Sequence, residues 1–154
     1  MITFLYGKAD FALMRRMGTF YVDKTPFLPI LEHPTYGGPN LVFLRPRRFG
    51  KSSLVSMMEH YYDISLSSRF DELFRGLWVY ENPTPEKSKY IVLTFNFSTV
   101  SVDGDERALK ANFTTAVRAS LAILFQRYRG RHPALDDFAK QLDNFDDPAA
   151  LVDR

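Results

Sequence analysis

Two short runs without charge, Asn40-Leu-Val-Phe-Leu44 and Tyr90-Ile-Val-Leu-Thr-Phe-Asn-Phe97, constrain the fold of this chain most. Neither alternates apolar with polar residues. A strand wetted on one face alternates with period two, so an unalternated run suits a strand covered on both faces, as in a parallel sheet. Breakers precede each run: Pro34-Thr-Tyr-Gly-Gly-Pro39 and Asn82-Pro-Thr-Pro85. Elsewhere the apolar spacing is helical. Residues 10–17 read as a short amphipathic helix ended by Gly18. Thr25 at N-cap and Pro26 at N1 open another, to about His33. Lys51 to Tyr62 places Leu54, Val55, Met58, Tyr61 and Tyr62 on one face. Ser68 with Asp71 makes a capping-box pattern ahead of Phe70, Leu73, Phe74, Leu77 and Trp78. The longest helix is expected over 104–129, along Leu109, Phe113, Val117, Leu121, Leu124 and Tyr128, with Gly130 as its stop. A shorter acidic helix follows over 134–145, and Asp147-Pro148 reads as one more helix start. This order of elements predicts an α/β fold with strands at about 40–44 and 90–97.

The remaining bounds are compositional. At 154 residues the chain is expected to form one domain, and 45% apolar with 25% charged residues is an ordinary globular balance. The absence of Cys excludes disulfides, thiolate metal sites and Cys nucleophiles, and fits a cytoplasmic setting. The apolar runs are far shorter than the roughly 20 residues a bilayer needs. Met1 to Phe11 carries no secretory pattern. A net charge of +2 says little, but its distribution says more. No acidic residue lies between Glu32 and Glu59, where Arg45, Arg47, Arg48 and Lys51 cluster. From Asp136 to Asp153 there are six Asp and one Lys.

The chemistry concentrates in Leu41-Val-Phe-Leu-Arg-Pro-Arg-Arg-Phe-Gly-Lys-Ser-Ser-Leu54. An expected buried strand runs into a loop, and Gly50-Lys51-Ser52 opens a helix. The phosphate-loop pattern G-x-x-x-x-G-K-[ST] belongs in this context. Its glycine lets the backbone approach phosphate oxygens, and loop and helix-terminal amides point at the anion. Lys51 would bind phosphate, the Ser52 hydroxyl would hold magnesium, and the amides of Arg48, Phe49, Gly50 and Ser53 would complete the cradle. Arg45 stands where the pattern has its first glycine. The bland alternative is a turn glycine amid solvated cations.

Phe20-Tyr-Val-Asp-Lys-Thr25, followed by Phe43-Leu-Arg-Pro-Arg-Arg-Phe-Gly-Lys-Ser52, resembles the predicted AAA-ATPase-like family of bacterial and archaeal proteins. The resemblance covers about the first 100 residues. It implies a P-loop NTPase fold, a three-layer, mainly parallel sheet with flanking helices, and it implies ATP and magnesium as ligands. The family tolerates Arg at the position of Arg45. Asp23 and Thr25 are expected near the nucleotide by the same resemblance; the competing reading is that they only cap the helix at Pro26.

The departure lies downstream. Family members carry a strand ending in an acidic motif, whose carboxylates organise magnesium and polarise the attacking water. After Phe97 the one superficial candidate is Ala149-Ala-Leu-Val-Asp153. Residues 1–154 are therefore expected to be the N-terminal part of one such domain, truncated before the acidic (Walker B) strand. Catalytic residues are unknown, with Asp103, Asp105 and Asp153 the first to test. ATP–magnesium binding is expected here, and hydrolysis in the intact protein. The alternatives are a nucleotide-responsive regulatory module without hydrolysis, and a nucleic-acid-binding module marked by steep salt dependence. Family members often end in a second domain resembling the PD-(D/E)XK nucleases, which these residues do not include, and through such a part the resemblance implies nucleic acid as a partner; unpaired strand edges suggest self-association. His33, His60 and His132 are isolated, and the terminal Asp residues lack calcium-loop spacing.

Overall fold

The computed structural model describes residues 9–35, 40–46, 48–98, 100–101 and 103–142. The chain divides into two compact units, Met1–Ile91 and Val92–Arg154.

The first unit is a helical cluster. Helix α1 (Phe11–Arg16) starts at Asp10, whose carboxylate accepts from the Leu13 amide at 2.8 Å, and it ends before the left-handed Gly18. A 3-10 turn (Thr25–Phe27) leads into α2 (Leu28–Glu32). Helix α3 (Lys51–Tyr62) is followed by a 3-10 turn (Ile64–Arg69) and α4 (Phe70–Phe74), and then by α5 (Trp78–Glu81). Phe11, Leu28, Met57, Tyr61, Leu73 and Phe74 are wholly buried. Their rings interlock: Phe74 lies 5.0 Å from Phe11 and 5.6 Å from Tyr61, centroid to centroid, within the range of favourable aromatic pairs. Arg15 ties α1 to the end of α4, donating to the carbonyls of Leu73 and Arg75 at 2.7 Å each. The helix expected after Ser68 is broken in two, because Gly76 turns the chain at φ +78°. Ser68 lies within a 3-10 turn and caps nothing, and α4 starts without a side-chain cap.

The second unit holds α6 (Glu106–Tyr128) and α7 (Pro133–Leu142). Asp105 caps α6, accepting from the Ala108 amide at 2.8 Å. Leu121, Leu124 and Tyr128 are buried, while Leu109 and Phe113 at the other end of the expected apolar line are exposed. Gly130 (φ +69°) turns the chain, and its amide donates to Asp136 at 3.1 Å. Phe125 meets Phe138 edge to face. The expected helix start at Asp147-Pro148, the stretch Ala149–Asp153 and the end of the 134–145 helix lie outside the described residues.

The α/β expectation is overturned. The regular elements among the described residues are all helical, and no strand forms among them; neither the three-layer parallel sheet nor strands at 40–44 and 90–97 are present there. A parallel bridge joins Asp63 to Tyr90, where the Tyr90 amide donates to Tyr62 O at 3.0 Å and the Ile64 amide to Tyr90 O at 2.8 Å. The physical reason is that an apolar run specifies burial but not a partner. A helix satisfies its own backbone, whereas a strand exists only where a second segment supplies the ladder. Residues 41–46 and 91–97 carry no such ladder, and Val42 and Leu44 stand 77% and 78% exposed.

Candidate functional site

Helix α3 is positioned by its buried face, which is Ser53, Leu54, Met57 and Tyr61. This holds the N-terminal half of the helix against the helical cluster. The N-cap is Gly50, in the left-handed region at φ +74°, and no side chain caps the helix. Leu54 is the first residue whose amide finds a backbone acceptor, donating to Gly50 O at 3.0 Å. The amides of Lys51, Ser52 and Ser53 precede it, at the positive end of the helix dipole and with no acidic side chain in the first turn.

Two constraints make residue 50 a glycine. Its φ is strained for any side chain, and a Cβ there would lie 3.0 Å from Lys24 Nζ and 3.1 Å from Ser53 Oγ. Ser53 Oγ in turn donates to Gly50 O at 2.9 Å and braces the loop. Arg48 also has a positive φ, +69°, a conformation that disfavours a non-glycine residue by roughly 1–2 kcal/mol. Lys51 folds back across the loop, its ammonium donating to the carbonyls of Arg45 and, at 2.9 Å, of Pro46. Two of the three donors of the ammonium are thus engaged within the loop. Ser52 is exposed, as are Arg48 and Phe49.

The structure thus brings together Arg48, Phe49, Gly50, Lys51, Ser52 and Ser53 at one helix start. Asp23 is occupied differently. Its Oδ1 accepts from the Thr25 amide at 2.8 Å and from Thr25 Oγ1 at 2.7 Å, and its Oδ2 accepts from the Trp78 amide at 2.8 Å. Thr25, wholly buried, accepts from the Val79 amide at 3.2 Å. Asp23 rather than Thr25 therefore supplies the accepting oxygen at this turn, and the pair docks the start of α5.

The residue that sequence reasoning left without a role is Lys24, between them. It abuts Gly50, and its ammonium sits 5.4 Å from the centroid of the Tyr21 ring. Burial holds that ammonium below the usual lysine range. Burial, with the Asp23 charge second, pushes the Tyr21 hydroxyl well above the usual tyrosine range. The signal that could have found Lys24 was its membership of the aromatic-Val-Asp-Lys-Thr stretch.

A triphosphate fits this donor set: uncapped amides, a lysine in the loop, and an exposed hydroxyl suited to magnesium. Among the described residues no group of three or more His, Asp or Glu could hold a metal ion. Asp105 caps α6, and Asp103 accepts from Ser101 Oγ at 3.1 Å. His60 Nδ1 lies 2.8 Å from Ser56 O, and the His132 ring packs on Tyr128. Among the described residues no helix is long and apolar enough to cross a membrane. The profile of the family described as Predicted AAA-ATPase (AAA-ATPase_like) matches residues 5–149. No curated protein and no solved structure matches the chain.

Proposed function

The chain belongs to the predicted AAA-ATPase family, and on that premise we propose that residues 45–53 bind the phosphates of ATP together with magnesium. The observation that carries this reading is the start of α3. A helix with no side-chain cap begins at a left-handed glycine where a Cβ would crowd Lys24 Nζ and Ser53 Oγ, and the next residue is a lysine folded over the loop. Exposed amides at a helix N-terminus, a backbone that an anion can approach closely, and a mobile point charge are what phosphate recognition requires. In this reading Lys51 contacts the terminal phosphates. The amides of Arg48, Phe49, Gly50 and Ser53 surround them, and the Ser52 hydroxyl is a ligand of magnesium. Bound magnesium would neutralise charge on the phosphate oxygens. Phosphoryl transfer to water is the reaction the family's name implies for the bound nucleotide.

Calorimetric titration tests the proposal. Lys51→Ala removes a charge-assisted contact of about 1.5–3 kcal/mol, a loss of roughly tenfold or more in ATP affinity, and leaves adenosine binding as it was. Equal ATP affinity in Lys51→Ala and the parent would sink the reading. Phosphate release, followed in the same samples, reports turnover separately from binding.

A further inference from the structure

We propose that Lys24 is a second phosphate-binding cation at this loop, delivered by the segment ahead of α2 rather than by α3; the proposal rests on the phosphate-loop reading above. The first support is position. Lys24 Nζ lies 3.0 Å from where a Cβ of residue 50 would stand, so the ammonium rests against the backbone immediately before Lys51.

The second support is the state of its charge. Lys24 is half-buried, yet none of its three donors has an acceptor among the described residues; the Tyr21 ring is its neighbour. The oxygens of the adjacent carboxylate, Asp23, are engaged by Thr25 and the Trp78 amide. A half-buried ammonium is hydrated less fully than an exposed one, so an arriving phosphate gains more from it. Burial lowers its proton affinity.

The third support is preorganisation. Tyr21, under the ammonium, is itself held edge to face against the buried Phe11 at 5.2 Å. The turn carrying Lys24 is clamped on its two sides, by that ring and by Asp23. A cation held in place loses less freedom when its ligand binds than one on a free stem.

Titration of the parent chain, Lys24→Met, Lys24→Arg and Lys51→Ala with ATP and with adenosine tests this. Lys24→Met is expected to weaken ATP about tenfold and leave adenosine unchanged, and Lys24→Arg to recover most of the loss. ATP affinity equal in Lys24→Met and the parent, while Lys51→Ala still loses it, overturns the Lys24 assignment and leaves the loop reading standing. ATP affinity that survives both Lys24→Met and Lys51→Ala overturns the two together. Should circular dichroism show Lys24→Met unfolded, acetylation of the unsubstituted chain decides. ATP, but not adenosine, is expected to protect Lys24 from acetic anhydride in peptide mass spectra. Equal labelling of Lys24 with and without ATP overturns the assignment.

Discussion

Phe11, Tyr61, Leu73 and Phe74 are wholly buried in the helical cluster, whereas Leu41, Val42, Phe43 and Leu44 lie outside any helix or strand and are exposed, although both sets are apolar. The difference follows from the backbone. Each helix closes its own hydrogen bonds and needs only a stripe of side chains to find neighbours. An extended segment must first find a backbone partner, and its side chains are buried only once it does. Apolar sequence is therefore sufficient for burial in the first region and insufficient in the second.

The sharpest way to break this comparison is one truncation in each region. Phe74→Ala removes a wholly buried ring that packs on Phe11, Tyr61 and Phe70, and the expected loss is about 3–5 kcal/mol in urea unfolding. Val42→Ala, at an exposed position, should change stability by no more than about 0.5 kcal/mol. A Val42→Ala loss as large as that of Phe74→Ala would mean that the extended segment is covered in solution, and the contrast would fail.

A smaller effect is expected where the loop-side turn joins the cluster. Asp23→Ala strips acceptors from the Thr25 amide, the Thr25 hydroxyl and the Trp78 amide. Thr25 is wholly buried, so groups left without partners make the loss about 1–3 kcal/mol in the same unfolding experiment. Asp23→Asn keeps one acceptor oxygen and should recover part of it. If Asp23→Ala unfolds at the same urea concentration as the parent, the turn is not a structural joint, and its carboxylate is available for another task.

What was legible in the sequence was local. The Gly18 and Gly130 stops and the helix opened by Gly50-Lys51-Ser52 all depend on residues within a turn of one another. The loop could be located for the same reason, since its glycine, lysine and hydroxyl are adjacent. The absence of strands among the described residues was not legible, because nothing in Leu41–Leu44 or Tyr90–Phe97 shows whether another segment lies beside it. The break at Gly76 was missed because the apolar spacing from Phe70 to Trp78 is helical, while the backbone there is not. The meeting of Lys24 with Gly50 spans 26 positions and has no local signature. Thr25 does not take the expected N-cap position, for a stereochemical reason. A carboxylate two residues ahead reaches the Thr25 amide, which leaves the Thr25 hydroxyl to meet Val79.

The smallest expected effect lies on the rim of the helical cluster and separates titrating from non-titrating contacts. Glu72 is bonded by Arg16 at 2.7 Å and by Arg69 at 3.4 Å. The Arg16 hydrogen bond above all, with Arg69 assisting, holds its carboxyl below the usual glutamate range. A carboxylate whose folded pKa is depressed adds stability that is fully present above its unfolded value, and that is lost as pH falls through the folded one. Glu72→Gln should therefore melt slightly below the parent at pH 7, and the gap should close as the pH drops below about 4. The pair is exposed, so added salt should also narrow the gap. Arg15, by contrast, donates to the carbonyls of Leu73 and Arg75, which do not titrate, so its contribution should persist across the same pH range. Melting temperatures of the parent and Glu72→Gln from pH 7 to pH 2 check this. A gap unchanged at pH 2 would show that the glutamate acts through packing rather than through its charge.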